Sequence, residues 1–146
     1  MISIEQIEKE WAHDSKIDKT DLNTDSSLQL HLHSKYHKIL NFLRRELRKT
    51  QADRVRLLHL KSDYYTNNMP PQQMKELGWK PNPRLVIKSE IDRFVEADDD
   101  VIEINLKIGD LHDMIQFAES IIKSIYQKPF ITKNIIENNK FLNGII

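Results

Sequence analysis

The stretch Val101–Ile125, VIEINLKIGDLHDMIQFAESIIKSI, decides the fold that this sequence predicts. Its apolar residues recur at alternating steps of three and four, which is the heptad spacing of a helix that buries one face against other helices. The heptad positions are Val101, Ile104, Ile108, Leu111, Ile115, Ala118, Ile122 and Ile125. Three aspartates, Asp98–Asp100, lie just before it, where the free N–H groups of a helix N-terminus favour carboxylates. We therefore predict a long acidic helix within residues 88–128.

A shorter pattern in the same stretch favours a different structure. Ile102, Ile104, Leu106 and Ile108 alternate with polar residues, as they do in a half-buried strand. The heptad spans many more residues than this alternation. We therefore predict a helix and keep a minor β-hairpin piece as the alternative.

The first part of the chain is also predicted to be helical, because neither glycine nor proline occurs before Pro70. Ser3 and Gln6 have the spacing of a capping box, which predicts a short helix from Ser3 to Asp14. A second, long helix is predicted from Ser27 to Tyr65. Its apolar stripe is thin from Arg48 to Arg56, which indicates a segment that bridges solvent or is covered by a ligand.

Residues 66–83 contain four prolines and one glycine, and they predict a long irregular loop. Lys88–Glu96 fits either a short helix or an extended segment. Pro129 suits the first position of a last helix. That helix and the chain end carry more apolar surface than one small domain hides, which predicts an oligomerisation surface. Its residues are Phe130, Ile131, Ile135, Ile136, Leu142, Ile145 and Ile146.

Length and composition predict a single, mainly α-helical domain of 146 residues, with long helices packed antiparallel and one proline-rich loop. Its segments are 1–66 with the N-terminal and basic helices, 67–87 as the loop, 88–128 as the acidic heptad helix and 129–146 as the C-terminal oligomerisation helix. No run is long and apolar enough to span a bilayer, and the N-terminus lacks the pattern of a secretion signal. The absence of cysteine excludes disulfides and thiol catalysis.

Residues 35–61, called the basic segment below, carry nine Lys or Arg and two acids in a chain whose net charge is zero. Because basic side chains without interspersed acids repel one another, such a run is typical of a surface that binds a polyanion. The candidate DNA contacts in it are Lys35, Lys38, Arg44, Arg45, Arg48, Lys49, Arg54, Arg56, His59 and Lys61.

The anion that neutralises the basic segment is either single-stranded nucleic acid or an acidic protein surface. Residues 88–119 contain ten acids and three bases, so this chain itself offers such a surface. We favour nucleic acid. The alternative is a helical structural adaptor, and it would be indicated if Arg44, Arg45, Arg48 and Arg54 paired with Asp98–Glu103, Asp110 or Asp113.

Aromatic residues next to the basic segment add the second component of a single-strand site, since bases stack on aromatic rings. Tyr64 and Tyr65 cannot share a face of a helix, so we predict that one packs inward and the other is available for stacking. Tyr65 joins the candidate DNA contacts. Trp79 in the proline-rich loop is either a stacking residue or part of the core.

Catalysis and metal binding have little support in the sequence. His31, His33 and His37 form a cluster in which His33 and His37 have a spacing that can hold a metal, but no acid or fourth histidine lies nearby in sequence. Asp98–Asp100 with Glu103 lack the glycine of a calcium loop. No nucleophile elbow or phosphate-binding glycine loop is found. We predict no enzyme activity, no metal and no cofactor.

Several short stretches, in order and with matching spacing, resemble the UvsY family of recombination mediators of T4-type bacteriophages. These stretches are Ile17-Asp18-Lys19-Thr20, Leu32-His33-Ser34-Lys35-Tyr36, Leu58-His59-Leu60-Lys61-Ser62-Asp63-Tyr64-Tyr65, Lys88-Ser89-Glu90-Ile91 and Ala97-Asp98-Asp99-Asp100-Val101-Ile102. The resemblance covers nearly the whole chain.

The resemblance implies a protein without enzyme activity that binds single-stranded DNA. It implies that the protein loads a RecA-like recombinase onto DNA coated by single-strand-binding protein, in the cytoplasm of the infected bacterial host. It also implies a ring-like homo-oligomer, a hexamer or heptamer, assembled through the C-terminal region. The family's basic DNA-contact run falls on Leu58-His59-Leu60-Lys61, so His59 and Lys61 take its two basic positions.

Overall fold

The protein is all-helical in the part of the chain that the computed structural model describes, residues 2–16, 22–82 and 86–144 without the side chains of 22–27, 128, 129, 131 and 132. Six helical elements and no strand occur in these residues. They are α1 (Ile4–Asp14), α2 (Leu22–Tyr65), α3 (Pro71–Leu77), a 3₁₀ turn (Lys88–Glu90), α4 (Ile91–Glu96) and α5 (Asp99–Leu142). The two long helices, α2 and α5, pack antiparallel. The predicted fold class is confirmed.

The helices form two compact units. The terminal unit consists of Met1–Arg45 with His112–Ile146, and the central unit consists of Glu46–Leu111. The single domain of the sequence analysis stays a prediction. Each unit contains one part of α2 and one part of α5.

The terminal unit is built on three helices. The predicted capping box is present at α1, since the Gln6 amide donates to Ser3 Oγ at 3.2 Å and the Ser3 amide donates to Gln6 Oε1 at 3.0 Å. Ile7 of α1 and Tyr36 of α2 are completely buried. The Trp11 and Tyr36 rings meet edge to face, with 5.4 Å between ring centroids. These contacts anchor the short N-terminal helix to α2.

The heptad of α5 is the buried face of the helix, as the sequence predicts. In the terminal unit its positions Ile115, Ala118, Ile122 and Ile125 are buried, and in the central unit Val101 and Leu111 are buried while Ile104 and Ile108 are half-buried. The alternative β-hairpin is wrong, because the whole alternating run lies within α5 and its members Ile102 and Leu106 are 43% and 66% exposed. The longer apolar pattern therefore determined the structure.

The central unit has a small apolar cluster and a polar stretch. Ile91, Val95 and Val101 form the buried cluster, and Leu57, Leu58, Tyr65 and Val86 pack against it. Towards the other end of this unit, Thr50 is buried and its hydroxyl donates to the Glu46 carbonyl at 2.8 Å. Arg54 donates to Asn105 Oδ1 at 2.7 Å. Polar contacts thus replace apolar packing where the sequence stripe is thin.

The segment after α2 is more regular than the predicted loop, because it contains α3. Pro71 lies in the first turn of α3, where its missing N–H costs no hydrogen bond, and Gly78 ends the helix with a φ of 72°. Met69 is buried beside it. Of the two alternatives for Lys88–Glu96, the helical one is correct. Pro83 lies outside the described residues.

The predicted helix boundary at Pro129 is wrong, since α5 continues without a break to Leu142. A proline has no N–H, so the carbonyl four residues earlier, that of Ile125, loses its helical donor. Gln29 of α2 supplies a replacement, because its side-chain Nε2 donates to the Ile125 carbonyl at 2.7 Å. This contact between two helices offsets one of the two costs of a proline inside a helix.

This arrangement predicts that the cost of losing Gln29 depends on Pro129. Gln29→Leu should lower the free energy of unfolding by about 1–3 kcal/mol, because it leaves a partly buried carbonyl without a donor. In a Pro129→Ala background the backbone N–H is restored, and the same substitution should cost much less. Urea denaturation of the parent, both single variants and the double variant measures the coupling. Equal costs in the two backgrounds would show that Gln29 does not compensate for the proline.

Candidate nucleic-acid interface

The basic segment within the terminal unit presents three exposed cations. Lys38, Arg44 and Arg45 are exposed on α2. Lys38 and Arg45 are seven residues apart, or about two helical turns, so they lie on one face of α2. Arg44 lies to one side of that face, and its guanidinium contacts Glu119 of α5 at 3.1 Å. This pair is half-exposed at both ends, so solvent screens it strongly.

The central unit presents four more exposed basic residues of α2: Arg48, Lys49, Arg56 and His59. Lys49 and Arg56 are seven residues apart, and Arg48 and His59 are eleven apart, so each pair is separated by a nearly whole number of helical turns. Arg56 contacts Asp53 at 3.2 Å and His59 lies 3.6 Å from Asp63, both through exposed side chains. Both contacts are made within α2 itself. The outer side of this part of α2 is therefore basic.

Pairing between the basic segment and the acids of α5 is limited. The adaptor hypothesis expected Arg44, Arg45, Arg48 and Arg54 to pair with Asp98–Glu103, Asp110 or Asp113. Arg54 instead donates to the neutral Asn105, and Arg44 pairs with Glu119. Among the described side chains, Lys38, Arg45, Arg48 and Lys49 have no acidic partner within 4.0 Å. Within the described residues, no neighbouring carboxylate neutralises their charge.

Lys35, at the start of the basic segment, has a different environment from these exposed residues. Its ammonium contacts Asp14 at 2.7 Å and Glu10 at 3.4 Å, both on α1. The Tyr36 hydroxyl donates to the same Asp14 oxygen at 2.8 Å. Burial favours a higher pKa for Asp14, but the hydrogen bonds from Lys35 and Tyr36 outweigh it and hold the pKa below its usual value. Lys35 thus fastens α1 to α2.

Lys61, at the other end of the basic segment, is 5% exposed. Its ammonium lies 3.2 Å from Asp98 Oδ2 and 2.8 Å from Asp100 Oδ2. It also lies 3.8 Å from the centroid of the Trp79 ring, in the geometry of a cation–π contact. Burial favours a higher pKa for Asp98, but the hydrogen bonds from Tyr65 and Lys61 outweigh it and lower the pKa. The structure therefore separates Lys61 from the exposed cations of the segment.

The two tyrosines at the end of α2 point to different neighbours. Tyr65 packs against the buried cluster of the central unit, and its hydroxyl donates to Asp98 Oδ2 at 2.6 Å. Tyr64 donates to the Lys80 carbonyl, and its ring meets the Trp79 ring edge to face at 5.4 Å between centroids. Burial and the nearby Asp98 carboxylate raise the pKa of Tyr65. Tyr64 is thus the tyrosine that faces the segment with Trp79.

The sequence contains a signal for the inner position of Lys61 and Tyr65. Leu43, Thr50 and Leu57 are each seven residues apart, and Lys61 follows Leu57 by four, so Lys61 falls on the same face of the helix as these three residues. Counting by residue type placed Lys61 with the candidate DNA contacts, whereas its helical position placed it with the core. Trp79 and Asp98 complete the surroundings of Lys61. They are distant from it in sequence, so no local pattern predicts these contacts.

His33 and His37 lie close together, but few other side chains that could bind a metal lie near them. The rings of His33 and His37 are 4.4 Å apart, and His33 Nε2 is 2.9 Å from the Tyr126 hydroxyl. In residues 2–16, 22–82 and 86–144, no three side chains of the metal-binding types come together.

Over the same ranges, no helix has the length and apolar character needed to cross a membrane.

The last turns of α5 expose apolar side chains. Phe130, Phe141 and Leu142 are 70%, 71% and 71% exposed, Ile136 is at 36%, and Ile135 is half-buried. Of the predicted oligomerisation residues, the Ile131 side chain and Ile145 and Ile146 lie outside the described part. Several large exposed apolar side chains near one end of a helix are typical of a surface that binds another protein.

These features define, in the described residues, an all-helical protein whose helix α2 exposes basic side chains in each unit. Residues 10–145 match the family model described as "Recombination, repair and ssDNA binding protein UvsY". The chain therefore belongs to the UvsY family, whose described role in recombination, repair and single-stranded DNA binding is one of binding and not of catalysis. The resemblance seen in the short sequence stretches is confirmed.

Crystal structures of the recombination mediator protein UvsY of bacteriophage T4 have the same fold. One crystal form superposes with a TM-score of 0.78 at 20% sequence identity, covering 98% of this chain and 99% of that chain. Two others give TM-scores of 0.78 and 0.77 at 19% and 21% identity, with coverage of 96% and 92% of this chain and 98% and 96% of theirs. No curated protein sequence gives a significant match.

The Lys35–Asp14 contact predicts a pH-dependent contribution to stability. The pKa of Asp14 is lowered in the folded state from 3.8, so its stabilising effect is complete above that value and is lost as the pH falls through the folded pKa. Asp14→Asn should lower the free energy of unfolding at pH 7 by about 1–3 kcal/mol, and the difference from the parent should shrink near pH 3. Urea denaturation at both pH values measures it. Asp110→Asn, at an exposed site, is the control; a difference for Asp14→Asn that stays constant with pH would contradict the assignment.

Proposed function

We propose that this protein is a recombination mediator that binds single-stranded DNA through the exposed basic residues of α2. The candidate contacts are Lys38, Arg44, Arg45, Arg48, Lys49, Arg56 and His59. The observation that carries the proposal is the exposure of Lys38, Arg45, Arg48 and Lys49 without an acidic partner among the described residues. Membership of a family described as binding single-stranded DNA supports it.

The physical basis of the binding is neutralisation of phosphates. A strand laid along exposed lysines and arginines releases the counterions condensed on it, which gives affinity without base specificity. Arg54 is half-buried and bonded to Asn105, so it contributes less to this surface than its neighbours. The exposed cations of one chain are few, and each contact is weak.

Assembly of several chains makes weak contacts effective. We infer a ring-like homo-oligomer, a hexamer or heptamer, formed through the exposed apolar end of α5. A strand that binds several chains at once gains avidity that one chain lacks. A closed ring also avoids the open-ended growth that head-to-tail contacts otherwise give.

The partners follow from the same role. We propose that the DNA-bound oligomer promotes loading of a RecA-like recombinase onto DNA coated by single-strand-binding protein, in the cytoplasm of the infected bacterial host. A strand held by many weak, salt-sensitive contacts can be transferred in steps, because each contact is released separately. A recombinase-loading assay on coated DNA, with and without this protein, tests that role directly.

Removal of exposed charge should weaken DNA binding and its dependence on salt together. For Arg48/Lys49→Ala, the slope of log K against log salt should become shallower by about 0.7 for each phosphate that the variant no longer neutralises. The matched control, Lys107/Lys123→Ala, removes the same charge from exposed positions of α5 and should leave the slope unchanged. Salt titrations with a labelled homopolymeric single strand measure both. If the two double variants behave alike, the outer face of α2 is not the DNA surface and the adaptor hypothesis gains.

Charge at the end of α5 should break the oligomer. Phe141→Glu with Leu142→Glu places two carboxylates on side chains that are 71% exposed in a single chain, so the chain should fold but assemble poorly. Sedimentation velocity should show smaller species, and DNA affinity should fall because avidity is reduced. Deletion of residues 130–146 should have the same effect. Leu106→Glu, at an exposed site of the central unit, is the control; an unchanged mass for the end variant would place the interface elsewhere.

A further inference from the structure

Lys61 lies on the inner face of α2, away from the exposed basic residues. Arg56 and Lys61 are five residues apart, which places them about 140° apart around the helix. Lys61 follows Leu57 by four residues and so shares the face that packs against the buried cluster. It is one of two polar or charged residues that are buried among the described residues, with Thr50.

The surroundings of Lys61 satisfy its charge from within the chain. Asp98 and Asp100 lie 3.2 Å and 2.8 Å from the ammonium, and the face of the Trp79 ring lies 3.8 Å from it. An ammonium has three N–H donors, and these three neighbours approach it together. A phosphate could bind Lys61 only by displacing contacts that are already made in a buried site.

The same cluster joins three parts of the central unit. Asp98 accepts from the Tyr65 hydroxyl, and its other carboxylate oxygen accepts from the Asp100 amide at 2.9 Å in the first turn of α5. Trp79 belongs to the segment after α2, and Tyr64 holds that segment through the Lys80 carbonyl. Lys61 lies between these groups, so its charge ties the end of α2 to the start of α5 and to Trp79.

We propose that Lys61 is a positioning residue and not a phosphate contact: its buried ammonium holds the segment of Trp79 and the first turn of α5 against the end of α2. The inference rests on the proposed DNA-binding function for its binding test, but the position of Trp79 can be tested without DNA. It assigns different roles to the two basic positions of Leu58-His59-Leu60-Lys61, since His59 is exposed and Lys61 is buried.

The decisive experiment compares substitutions on both sides of the ion pair. Lys61→Met keeps the apolar stem and removes the charge, and Asp98→Asn keeps the shape and removes the partner charge. If Lys61 positions the segment of Trp79, neither Lys61→Met nor Asp98→Asn should bind DNA more tightly than the parent. The slope of log K against log salt should be that of the parent in both variants. If Lys61 binds phosphate, Lys61→Met should flatten the slope by about 0.7, as Arg48→Ala should, and Asp98→Asn should tighten binding by freeing the ammonium. Either of these results would overturn the proposal.

A fluorescence measurement tests the position of Trp79 in the absence of DNA. The chain has two tryptophans, so Trp11→Phe leaves Trp79 as the single reporter. In that background Lys61→Met should shift the Trp79 emission maximum to longer wavelength as the ring becomes more exposed, and Lys61→Arg, which keeps a cation that stacks on aromatic rings, should restore the parent spectrum. Arg56→Met, at an exposed position earlier in α2, is the control and should leave the spectrum unchanged. Parent-like emission in Lys61→Met would overturn the positioning role.

Failure of this inference is distinguishable from failure of the proposed function. If the parent protein does not bind single strands, the proposed function fails, and the fluorescence of Trp79 still decides the role of Lys61. If Lys61→Met does not fold, Asp98→Asn and Lys61→Arg carry the comparison: tighter DNA binding by Asp98→Asn, or a Trp79 spectrum in Lys61→Arg unlike that of the parent, would contradict the proposal.

Discussion

The packing of the α5 heptad against α2 is the interaction on which the rest of the structure depends. Each helix has one apolar face, and neither is stable in water unless that face is covered. In the terminal unit the buried face of α5 is broad, with Met114 and Ile121 added to the heptad positions. In the central unit it is narrower, and α4 completes the apolar cluster. The remaining elements attach to this pair of helices.

Ion pairs at the two ends of the basic segment add polar contacts between α2 and its neighbours. Lys35 binds two acids of α1, and Lys61 binds two acids at the start of α5. Both lysines form pairs that are at least partly withdrawn from water, where breaking one partner leaves an uncompensated charge. The basic segment therefore contains two kinds of lysine. Those at its ends contact acids of other elements, and the cations between them are exposed except for the half-buried Arg54.

This division sets a physical requirement on the proposed DNA-binding surface. Exposed cations on one helix repel one another, so a helix that carries them needs stability from its opposite face. The buried face of α2, with Leu43 in the terminal unit and Thr50 in the central unit, provides that support. The buried face of α5 likewise stabilises the helix that carries the exposed apolar residues near its end. Gln29 supplies a hydrogen-bond donor to the Ile125 carbonyl, four residues before Pro129.

The sequence by itself determined the helical class, the capping box of α1, the buried face of α5 and the family, because each of these follows from local spacing or local order of residues. It did not determine that α5 continues through Pro129, because the replacement donor comes from Gln29, which is distant in sequence. Helical spacing placed Lys61 on the inner face of α2, but it did not show which groups surround Lys61 there. Lys61 and Arg56 are both basic residues of one segment, and only the tertiary structure brings Asp98, Asp100 and Trp79 around the first and leaves the second in water. The sequence states which residues are charged, whereas the packing of helices that lie far apart along the chain decides which side chains contact them.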